Sequence, residues 1–167
     1  MFSKKLALTL SAAAVCCCLG SGTASAQSTS ATVTFEVQEV FLLNLSGSAS
    51  LTINTANIGT GLIDAVDLTG MTYDITSNCA ADNPKIVGRI NAAMPANTAL
   101  SVNVAAPSGA ASEGWVVLSD TDQDLVTGIG NLNQLGVAIG FKLSASVAAG
   151  EVPSDSRTFT MTIVSTT

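Results

Sequence analysis

Apolar residues recur at every second position in this sequence, in run after run, and no segment shows a convincing helical period. A period of two puts one side of an extended chain on a core and the other toward solvent, so it specifies strands and fixes which face of each is buried. The run at 157–164 ("RTFTMTIV") sets Phe159, Met161 and Ile163 against Thr158, Thr160 and Thr162. The run at 135–147 sets Val137, Ile139, Phe141, Leu143 and Ala145 against Gly136, Ala138, Gly140, Lys142 and Ser144. Similar alternation marks 71–76 and 99–105, while 85–91 places Ile86 and Ile90 on one side with Gly88 between them. Shorter apolar runs at 51–53 and 115–118 complete the set, and residues 57–68 have room for one short turn of helix. Turn residues punctuate the chain between these runs, as in "GTG" at 59–61 and "CAADNP" at 79–84. This spacing predicts an all-β fold: an antiparallel β-sandwich of seven to nine strands, Ig-like or Greek-key, with a closed barrel as the alternative.

The first residues carry a different signal. Lys4 and Lys5 precede an apolar stretch at 6–19, and Ala24-Ser25-Ala26 follows as a small-residue cleavage site. We expect 1–26 to be a cleaved secretory signal. Val15 stands before Cys16, where a lipidation motif wants a small residue. Without that segment four basic residues face twelve acidic ones, a net charge of −8, and Cys79 is the single cysteine. Such acidity excludes the clustered cations that bind nucleic acid. The remaining chain suits one domain, with 27–38 as a possible donor or extension strand and 39–167 as the sandwich. A secreted protein at the cell surface or outside it is the expectation, with no span of the membrane.

Few residues suggest chemistry. There is no histidine, so the usual triads and most zinc sites are unavailable. Cys79 has no base to activate it, which leaves either a thiol that pairs between chains or a small, partly buried residue at a strand end. Asp64 with Asp67, or Asp120 with Asp124, could be cast as a carboxylate pair, but no aromatic sugar platform accompanies either, and no enzyme is expected. Asp120, Asp122 and Asp124 match the first half of a calcium loop. Leu125 and Asn131 then occupy the positions of its glycine and bidentate glutamate, so a solvated acidic turn is the simpler reading and no cofactor beyond calcium is in view. Tyr73 and Trp115 are both expected in the core, Tyr73 with its hydroxyl at the rim.

The segment 32–47 ("TVTFEVQEVFLLNLSG") divides in two. Its first half alternates, with Val33, Phe35 and Val37 on one side and Thr34, Glu36 and Gln38 on the other. From Val40 to Leu45 it is apolar on both faces and should be buried within its own sandwich, with Glu39 as the hinge. The signal, the alternating "ATVTFEV", the Gly-, Ala-, Thr- and Asn-rich strands and the closing "RTFTMTIV" together resemble secreted bacterial pilin-type subunits. The likeness is to the fimbrial and spore-coat-protein-U-like members of the chaperone–usher class. It implies a structural subunit that polymerises with copies of itself, with an assembly chaperone as a further partner. Val33, Phe35 and Val37 would be the plugs of a donor strand, and Phe159, Met161 and Ile163 would lie beside the acceptor groove. Two features depart from that class: a lone Cys79 replaces its internal disulfide, and Thr166 stands where many members have tyrosine. The competing expectation is a monomeric secreted module that binds calcium or a glycan.

Overall fold

The computed structural model describes residues 27–79 and 83–165; the expected signal at 1–26 lies outside them. The body from Val37 onward forms one compact unit. Its strands are β1 (Phe41–Gly47), β2 (Ala56–Asn57), β3 (Gly61–Leu62), β4 (Ala65–Ser77), β5 (Lys85–Ile90), β6 (Thr98–Val104), β7 (Ala111–Ser112), β8 (Trp115–Val117), β9 (Gln123–Thr127), β10 (Leu132–Ala145) and β11 (Phe159–Val164). One 3-10 turn, Val147–Ala149, accompanies them, and there is no α-helix among the described residues. Five strands form one sheet in the order β1-β4-β10-β6-β8, four form a second in the order β11-β5-β9-β7, and β2 and β3 make a separate hairpin. Every pairing is antiparallel. From β4 onward each successive strand belongs to the other main sheet.

The alternation sets the core. Tyr73 and Ile75 on β4, Val102 and Val104 on β6, and Val137, Ile139 and Phe141 on β10 meet Ile86 and Ile90 on β5, Leu125 on β9 and Met161 on β11. The Tyr73 hydroxyl donates to the Ala105 carbonyl at 2.7 Å. The ring lies in the core and the hydroxyl meets a partly covered carbonyl just past the end of β6, and burial pushes its phenol well above the usual value. Gly88 faces inward where a Cβ would overlap Leu125 and the Phe159 ring. That absence lets the Phe159 ring settle edge-on against Phe141 at 5.3 Å between centroids. Strand β10 bulges between Gln134 and Val137, where Gly136 takes a φ of 66° and its N–H donates to Asp74 at 2.8 Å.

Several expectations are corrected. The chain is not strand at 32–40, so the first strand begins at Phe41 rather than Thr32. Leu42 on β1 is 62% exposed and Val40 is also exposed. The run 40–45 is therefore not buried on both faces, because a sheet in a two-layer fold has one face on the core and one on water. Residues 51–53 form no strand, and 57–68 hold the β2–β3 hairpin and the start of β4 in place of a helical turn. Trp115 is not a core residue: it is 40% exposed on the outer face of the five-stranded sheet, above Gly140 and beneath the Lys142 ammonium at 5.1 Å.

Candidate functional site

The sheets meet along two flanks, and one of them stays open. β1 is the edge of the five-stranded sheet and β11 the edge of the four-stranded sheet. The two approach each other across the sandwich, while β8 approaches β9 on the far side. β1 pairs only with β4, and β11 only with β5, so each leaves one row of main-chain donors and acceptors without a strand partner. Alternation turns Leu43 and Leu45 of β1, and Phe159, Met161 and Ile163 of β11, toward the space between the layers. Of these, Met161 is buried and the other four are only partly covered.

At one end of this flank the gap widens into a groove. Two adjoining hollows of about 620 and 390 Å³ share Leu51, Met94, Leu143, Asp155 and Arg157 as walls. Met71, Leu100, Phe141 and Phe159 line the smaller one, and Leu62, Val152 and Pro153 the larger. Both Gly47, where β1 ends, and Phe159, where β11 begins, border the smaller hollow. β1 therefore runs into the groove and β11 runs out of it, and a strand laid between them must be parallel to one and antiparallel to the other. The strap after β10 is fastened at both ends. Ser146 N–H donates to Asn97 O at 3.0 Å, and the Arg157 guanidinium reaches Ala93 O at 3.0 and 3.2 Å. Arg157 also grips Asp155, whose carboxyl it holds below the usual carboxylate value together with the Ser156 N–H.

The entry to β1 is clamped by one side chain. Asn78 Nδ2 donates to Gln38 O at 2.8 Å, and its Oδ1 accepts from Val40 N at 2.6 Å. The amide thus does for Gln38 and Val40 what a neighbouring strand would do. Glu39, read as a hinge, falls between the two clamped residues. The segment before Val37 belongs to a separate unit. From 27 on it forms no strand, and its side chains are exposed, with Phe35 at 88% and Val33 at 79%. Val37, the first residue of the body, is equally exposed.

The three aspartates read as a calcium half-loop lie at the entry to β9. Asp124 lies on β9 and holds Lys85 of β5 at 2.7 Å, and Asp122 lies 3.7 Å from Arg89 of the same strand. Asp120 is exposed in the turn before them. No group of three metal-ligating residues occurs among the described residues. Asp67 accepts from the N–H groups of Thr69 and Gly70, which lower its pKa. Cys79 is buried just beyond the end of β4, within hydrogen-bonding reach of the Ser77 hydroxyl. Sequence reasoning read Leu51 into a short strand and singled out neither Met94 nor the strap, because loops supply them and no periodicity marks a loop. No helix among the described residues is long and apolar enough to cross a membrane. No family model, no curated protein and no solved structure matches the chain.

Proposed function

We propose that this protein is a structural subunit of an extracellular filament or surface assembly. Its subunits join by β-strand addition, the alternating segment at 27–38 of one copy entering the open flank of the next. The flank between β1 and β11 carries the argument: it has two long free edges and an apolar interior that its own chain leaves partly uncovered. The incoming strand supplies ladder hydrogen bonds to the free edges and apolar side chains at every second residue, which is the general mode of strand addition. Val33, Phe35 and Val37 provide three, and each contributes about 1.5–3 kcal/mol on full burial. Such contacts are head-to-tail and do not close, so they extend into fibres. In this reading the body is an Ig-like sandwich of the pilin type, short of one strand, and it is secreted through the periplasm with an assembly chaperone as an earlier partner.

The exposed Trp115 favours a second reading, a monomeric glycan-binding module, since sugars stack on accessible rings. One deletion separates them. Removing 27–36 leaves a folded body that no longer forms filaments in electron micrographs if the first reading holds. If the shortened protein still assembles, or if it unfolds, strand donation by this segment is wrong.

A further inference from the structure

Beyond Met1 the sequence has three methionines, Met71, Met94 and Met161, and all three gather on the open flank. Met71 comes from β4 and Met94 from the loop after β5, and both line the groove while only partly covered. Met161 lies on β11 and is buried. A thioether side chain is flexible and polarizable, and it adapts to apolar groups of varied shape. It is also an apolar side chain that a mild oxidant turns polar and chiral in one step.

We propose that Met71 and Met94 form an oxidation-sensitive modification site that closes the groove to an incoming strand. The proposal rests on the strand-accepting role of the groove. A peroxide is the reagent. A lone pair on Sδ attacks one peroxide oxygen, the S–O bond forms as the O–O bond breaks, and the sulfur gives up two electrons. The departing oxygen takes up a proton and leaves as water, or as an alcohol from an organic peroxide. The sulfoxide oxygen is a strong acceptor standing in the apolar floor. The guanidinium that lines the groove is largely committed, because Arg157 already turns four of its five N–H groups to Ala93 O, Ser156 O and Asp155. Covering such an oxygen with a Val or Phe side chain buries an unpaired polar group. Assembly in turn shields both sulfurs, so subunits within a filament resist the oxidant that disables free ones.

The test combines peptide mapping by mass spectrometry with binding of a synthetic peptide of residues 27–38 to the purified protein. After hydrogen peroxide, Met71 and Met94 each gain one oxygen before Met161 does, and peptide binding weakens by roughly ten-fold or more, as expected for a buried acceptor without a partner. The double variant M71L/M94L, a volume-conserving change, loses none of its own starting affinity for the peptide after peroxide, whatever that affinity is. Unchanged binding by protein mapped as oxidised at both sites overturns the proposal and leaves strand donation standing. So does oxidation of Met161 ahead of both. If the untreated protein does not bind the peptide at all, strand donation falls and this proposal falls with it.

Discussion

The two flanks of the sandwich treat their edges in opposite ways. On one flank β7 and β8 are two and three residues long, so their free edges offer almost no ladder to another chain. That is the usual protection of an exposed sheet edge. On the other flank β1 and β11 run for seven and six residues, neither is covered, and the side chains between them are apolar. A fold that shortens one pair of edges and leaves the other pair long has not simply failed at edge protection. The difference is what the proposed strand addition at the open flank rests on.

This contrast can be broken by experiment. The largest expected effect is on assembly: Phe35→Asp abolishes filaments in electron micrographs, while the thermal midpoint stays where it was because the Phe35 side chain is exposed. If Val117→Asp on the short-edged flank abolishes them equally, the flanks are equivalent and the contrast is empty. Next comes a gradient in stability, read by urea unfolding of the isolated subunit. Ile139→Ala, at the centre of the core, costs about 2–5 kcal/mol. Ile163→Ala, on the open flank and partly covered, costs less in the same assay; equal costs would mean that the flank is already closed. Tyr73→Phe removes the bond to Ala105 O and costs about 1 kcal/mol in the same assay.

The smallest effect concerns acid. The Thr69 and Gly70 N–H groups depress the Asp67 carboxyl in the folded protein. Gly70 in turn accepts from Ser48 N at the end of β1. A folded pKa below the unfolded one gives stability that is present above the ordinary carboxylate range and lost as pH falls through the lowered value. Asp67→Asn keeps an acceptor but has no proton to bind. The acid limb of its melting curve against pH should therefore be slightly flatter than that of the parent, and an identical limb refutes the linkage.

Much of the fold was legible as alternation. β5, β6, β10 and β11 lie where the period of two places them, since each has one face on the core and one on water. The failures have physical causes. β9 was hidden because Asp122 and Asp124 read as a solvated turn, whereas Lys85 and Arg89 on the adjacent strand meet both and make that face a place for acids. Trp115 was misplaced because an apolar run says nothing about which side of a sheet it faces. For Val33, Phe35 and Val37 the alternation was legible, but their state was not: the three are exposed and lie outside any strand. The groove depends on pairings between distant segments, and no local pattern encodes those.

The alternation of sheets along the chain governs how fast this structure can form. From β4 to β11 no strand pairs with its immediate successor in either main sheet. Neither layer can grow by zipping one hairpin onto the next. Every ladder of the two main sheets awaits the closure of a loop that carries at least one other strand, and the two layers must condense together. Chains of such topology reach the native state over about milliseconds to seconds, far behind folds rich in local contacts. The β5–β11 ladder joins segments separated by the whole of β6 to β10 and depends on the last strand of the chain. A newly made chain therefore passes through a period in which the edge of β5 is bare as well, and any factor that shields apolar edges during that interval would raise the yield of the folded protein.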